Sequence, residues 1–178
     1  MDLENMTPEV LGDVEAKGIE TTIYYALRSD IETMPTYPVV TNPEDIVTVT
    51  GDIIFKTGKC FKEMKLRVDK NGVKSSLVGE IQSKSWNNML DVSIPTNHPK
   101  LLGTIDYLKN REVVYVFKER CTNSNRMMGS DCNPATFDTA EIDSGTDQES
   151  FKGFNGGIKS SGKLPAFYSG VITTTPAA

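Results

Sequence analysis

Apolar positions along this chain recur mostly with a period of two, the spacing that places alternate side chains on one face of a β-strand. Ile19 to Leu27 is rich in β-branched and aromatic residues and predicts a first strand. Asp30 to Met34 reads as a single helical turn, with Ser29 or Asp30 as its cap. Pro35, Pro38 and Pro43 then impose an extended loop. Ile46 to Thr50 alternates strictly and continues through Gly51 into Ile53–Phe55. Cys60–Val68 and Val73–Ser83 flank Asp69-Lys-Asn-Gly72, which predicts a β-hairpin because Asn-Gly tolerates the positive φ angles of a tight turn. Met89 to Ile94 predicts a further strand.

The period changes once. Leu101, Leu102, Ile105 and Leu108 lie at helical spacing and predict an α-helix near 97–109, with Thr96 or Asn97 as N-cap, Pro99 in the first turn and Asn110 as C-cap. Val113 to Phe117 is apolar throughout, as in a strand buried on both faces. The C-terminal third is a series of short segments punctuated by glycine and predicts three or four more strands. The sum is a mainly β (α+β) fold, a β-sandwich or barrel of about nine or ten strands with one flanking α-helix, in a single domain over 19–178. Residues 1–18 stand apart as an acidic N-terminal arm, with Leu3, Met6, Val10, Leu11 and Val14 near helical spacing. An amphipathic turn that orders against a partner and a frayed terminus are both compatible with it.

Composition narrows the function classes. The 178 residues carry a formal charge of −5, against the basic stripe of a dedicated nucleic-acid binder, although a negative wall suits DNA that must slide past. The acidic start at Met1 is unlike a signal peptide, and no run approaches the ~20 apolar residues of a membrane span. Cys60, Cys121 and Cys132 form no C-x-x-C pair, and an odd count points to free thiols, with a Cys121–Cys132 bridge as the alternative.

Each candidate for chemistry has a plainer reading. Gly157 to Leu164 nearly matches a phosphate-binding loop, but Leu164 replaces the hydroxyl that holds Mg²⁺ and Pro165 blocks the following helix, so a Gly/Ser hairpin is favoured. His98, the single imidazole, sits at the predicted helix start rather than beside a nucleophile. Glu141, Asp143, Asp147 and Glu149 could offer oxygen ligands to a hard cation, yet lack EF-hand spacing and read as a solvated acidic loop; Glu141 with Asp143 shows no sign of an acid/base cleft. Lys56, Lys59, Lys62 and Lys65 read as a solvated basic face. Trp86 is either a sugar-stacking platform or a core or interface residue. The chain is therefore expected to have no catalytic, cofactor or metal residues and not to be an enzyme. A carbohydrate-binding or adhesion sandwich using Trp86, Tyr24 and Tyr25 is the alternative to an assembly protein.

Several segments together resemble the tail tube (major tail) proteins of bacteriophages, of the type found in phages and prophages of Bacteroides-like hosts. Gly18 to Ile31 is similar to their first strand, and Val113 to Glu119 followed by Arg126-Met-Met-Gly-Ser to a strand, polar turn, basic residue, apolar pair and glycine. Ala166-Phe-Tyr-Ser-Gly-Val-Ile resembles their closing strand. The resemblance covers most of 18–172. It implies a sandwich with one helix, as in the related tubes of type VI and contractile injection machines. Hexameric rings would stack into a hollow tube in the virion tail, assembled in the host cytoplasm, that contacts other tail proteins and passes DNA without sequence-specific binding. A terminator or connector ring is a neighbouring possibility. On this reading the loops 51–60 and 141–156 and the N-terminal arm contact the next ring.

Overall fold

A computed structural model describes residues 18–146 and 150–176; the predicted N-terminal arm, apart from Gly18, lies outside the described residues. The fold is mainly β, with twelve strands and one α-helix among the described residues. A six-stranded sheet has the order β3 (Thr48–Val49), β12 (Ala166–Tyr168), β9 (Asn125–Met128), β8 (Val113–Lys118), β1 (Thr22–Leu27), β5 (Lys62–Lys65). A four-stranded sheet has the order β10 (Thr136–Asp143), β11 (Gly153–Gly162), β7 (Ser85–Ile94), β6 (Gly72–Val78). β2 (Ile31–Thr33) and β4 (Ile54–Phe55) pair separately. Among the described residues, no helix is long and apolar enough to cross a membrane.

β8 explains the layering. Its five apolar residues are all buried, but on two sides. Val113, Tyr115 and Phe117 join Ile23, Leu90, Val92, Phe154 and Ile158 in the core between the two large sheets. Val114 and Val116 join Val49, Ile53, Phe61, Ala166 and Tyr168 in a second core on the far side. A continuous apolar run is what a strand wetted on neither face requires. Helix α1 (Pro99–Leu108) closes the first core with Ile105 and Leu108. Burial pushes the Tyr115 phenol above the usual tyrosine range, and its hydroxyl finds no hydrogen-bond partner among the described residues.

Four local expectations are corrected. The turn predicted at Asp30–Met34 lies earlier, as a 3₁₀ turn over Arg28–Asp30, and Ile31–Thr33 is extended as β2. Ile46 ends a second 3₁₀ turn, Pro43–Ile46, instead of opening a strand. That turn is closed by a capping box in which the Asp45 carboxylate accepts from Asn42 N (2.7 Å), Thr41 N and Thr41 Oγ1 (both 2.8 Å). These donors, led by Asn42, hold the Asp45 pKa below its ordinary value. The N-cap of α1 is His98, not Thr96 or Asn97: its Nδ1 accepts from Lys100 N at 3.2 Å, and Lys109 rather than Asn110 is the C-cap.

The largest correction concerns Asp69–Gly72. β5 pairs with β1 and β6 pairs with β7, so the segments on either side of Asn71-Gly72 belong to different sheets. The connection is a crossover, not a hairpin. Its positive φ falls on Lys70 (66°), and Asn71 has another task. Asn71 Oδ1 accepts the buried backbone N–H of Ser93 at 2.8 Å, while its Nδ2 donates to Arg67 O. Asn71 thus ties the crossover to β7. Asn71→Ala strands the buried Ser93 N–H and is expected to cost about 1–3 kcal/mol, read as a shift of the urea midpoint. A surface turn would lose less than ~0.5 kcal/mol.

Candidate assembly surface

The true hairpin joins β6 and β7. Leu77 opposes Trp86 and Val78 opposes Ser85, and the connection is Gly79 to Lys84. Gly79 has φ +102°, and a Cβ there would lie 2.6 Å from Ser83 O, so the turn requires glycine. Ser83 N donates to Glu80 O at 3.1 Å and fixes the loop.

The character of the inward face changes along β7. Ile94, Val92 and Leu90 lie in the core. Next comes Asn88, fully buried and fully bonded: Ser75 Oγ donates to its Oδ1 at 2.7 Å, and its Nδ2 donates to Lys163 O at 2.7 Å and Ser160 Oγ at 3.4 Å. This network seals the end of the core. Beyond it Trp86 is half-buried and the hairpin overhangs, with Leu77 50% and Ile81 85% exposed and Val78 also outside. Within the turn itself Ile81 is the one large apolar side chain, and it stands in solvent.

The opposite face of this sheet is polar. Strand register places Lys74 and Ser76 of β6, Asn87 and Asp91 of β7, Asn155 and Lys159 of β11, and Thr139 and Glu141 of β10 on it. Among the described residues, both outer strands, β6 and β10, lack a partner on their outer sides. At the far end of β7, an apolar groove of about 460 Å³ runs between β5 and α1, floored by Met64, Leu66, Ile94 and Leu101.

No protein-family model, curated protein or solved structure matches this chain.

The residues singled out from sequence are dispersed. The near phosphate loop is no loop: Gly157 to Gly162 is ladder-paired β11, and Ser160 is buried in the Asn88 network. The Gly/Ser hairpin preferred for this stretch has no turn within it: 157–162 is all strand, paired antiparallel with β10 and β7. Asp147 and Glu149 lie outside the described residues; Glu141 and Asp143 end β10, with Asp143 Oδ1 accepting from Gly145 N at 2.8 Å. Among the described residues, no three His, Cys, Asp or Glu side chains converge as a metal site. Cys121 and Cys132 are free and exposed, and Cys60 is free and buried.

The lysine cluster is engaged locally rather than forming a track. Lys56 Nζ donates to Ser29 O at 2.7 Å, Lys59 pairs with Asp30 at 3.3 Å, and Lys65 with Glu63 at 3.2 Å. Lys62 lies near Cys60 Sγ at 3.4 Å. Tyr24 and Tyr25 are neighbours on one strand and so pack into opposite cores, while Trp86 sits on the other sheet; the three make no common platform. The long loops expected at 51–60 and 141–156 are cut short by β4 and by the ends of β10 and β11. What sequence reading missed is the 72–94 hairpin and its tip; Gly79, followed by the polar run Gln82-Ser-Lys-Ser85, was the available signal.

Proposed function

We propose that this chain is a structural subunit that joins copies of itself edge to edge into a closed ring, and that stacked rings form the tail tube of a bacteriophage. The observation that carries this reading is the four-stranded sheet with two edges free among the described residues, one face on the core and the other wetted. The strands alternate in direction across it, so β6 runs opposite to β10. Rotation about a ring axis leaves strand directions unchanged relative to that axis. The β10 of the next copy therefore meets β6 in the antiparallel sense, and the sheet continues without a break in pattern. Each copy contributes four strands, its six-stranded sheet lies outside, and the polar face lines the channel. Unmet edges of this length invite pairing. Hexameric closure, location in the virion tail, contact with other tail proteins and passage of DNA without sequence-specific binding follow from the family resemblance. The net charge of −5 suits a channel that DNA must not adhere to.

Sedimentation and negative-stain microscopy of the purified chain test this. The expected result is a species of six 19.6 kDa chains and hollow rings or tubes; a strictly monomeric protein at all concentrations overturns it. Ser76→Pro and Leu77→Pro add a sharper test. Successive residues of an edge strand send their N–H groups alternately to the ladder and to the open side. One of the two prolines should therefore abolish ring formation while leaving the monomer folded by circular dichroism.

A further inference from the structure

Edge pairing accounts for growth around a ring, not along a tube. The apolar hairpin tip and the apolar groove lie at opposite ends of one strand: β7 begins at Ser85, beside the tip, and ends at Ile94, which floors the groove. Ten extended residues separate the two by roughly 30 Å. We propose that the groove between β5 and α1 is a socket for the 79–84 hairpin tip of a second copy of this chain, with Ile81 as the plug. This deepens the ring reading by naming the contact that stacks one ring on the next.

Two features of the molecule select that occupant. The first is polarity. A plug and a socket at opposite ends of a strand form a head-to-tail contact, which repeats along the strand direction while edge pairing repeats across it. The two modes use different surfaces and do not compete. The second is charge. Glu80 flanks the plug, and Lys100 stands on the groove rim; neither has an ion pair among the described residues. The tip needs no reordering to dock, because Gly79 and the Ser83–Glu80 hydrogen bond already hold it.

Cross-linking tests this contact whether or not rings form. In the full chain with Cys121→Ser and Cys132→Ser, one variant carries Ile81→Cys and a second Thr104→Cys, a groove residue. Oxidation of the equimolar mixture should give a dimer joined through residues 81 and 104, identified by peptide mass. Its yield should fall several-fold when Glu80→Lys is added to the first variant, and recover when Lys100→Glu is added to the second. Absence of the 81–104 linkage, or a yield indifferent to the charge changes, overturns the socket. In micrographs, Ile81→Asp should leave rings and remove tubes; tubes of normal length overturn it equally. Cross-linking without any rings would instead retain the socket and refute the edge-paired ring.

Discussion

Replacing Phe154 with alanine is expected to remove about 3–5 kcal/mol of stability, a large part of the ~5–15 kcal/mol typical of a folded domain. Phe154 is fully buried on β11, where the two large sheets and α1 share one core. Its ring meets Phe137 edge-on, with centroids 6.0 Å apart and planes at 82°. It also folds under Gly156: a Cβ on that glycine would lie 2.4 Å from Phe154 Cζ, so the ring fills the space left by the missing side chain. Truncation therefore leaves a cavity between two sheets whose ladders resist collapse, which places the cost toward the upper end. Urea unfolding measures it, as a lower midpoint with an unchanged slope. A loss below ~1 kcal/mol would mean that the sheets do not pack through this residue.

Gly129→Ala is expected to cost about 2–4 kcal/mol for two reasons that add. Gly129 has φ +100°, where an L side chain is strained. A Cβ there would also stand 2.9 Å from Val113 O and 3.1 Å from Ala135 N. Those atoms belong to a reciprocal pair: Ala135 N donates to Val113 O and Val113 N to Ala135 O, both at 2.9 Å. This is where the chain leaves the six-stranded sheet after β9 and heads for β10, so the added methyl pushes on the link between layers. For a chain of this size the melting temperature should drop by roughly 5–15 °C. Amide exchange at Val113 and Ala135 should quicken with it. An unchanged melting temperature would place Gly129 in an ordinary loop.

Much of the fold was legible along the chain, and the reason differs from element to element. β1 and β8 could be read because β-branched and aromatic residues alternate or run unbroken, and burial on one or both faces follows from that spacing. α1 could be read because its apolar residues keep helical spacing behind Pro99. Its cap could not: Thr96, Asn97 and His98 are all plausible, and only the backbone path decides which side chain faces the free N–H groups. β3 and β4 fall within the alternating stretch already read as strand, whereas β2, read as a helical turn, is held extended by its pairing with β4.

The proposed assembly surface was the least legible part. Asn71-Gly72 carries the strongest turn chemistry in the chain, yet it marks a passage between sheets, with Asn71 spent on Ser93 N. Turn chemistry reports that the chain changes direction; it does not report which strand lies beside it afterwards. The sequence by itself determined the β class, the helix, the double-faced burial of β8 and the failure of the near phosphate loop at Leu164 and Pro165. Those features depend on neighbours within a few residues. Only the tertiary structure decided that β5 and β6 separate into different sheets, that Asn88 seals the core while Leu77 and Ile81 stay outside, and that β6 and β10 are the open edges among the described residues. These depend on contacts between residues far apart in the chain, where the same alternating strand can satisfy its hydrogen bonds against several partners and shared burial selects among them.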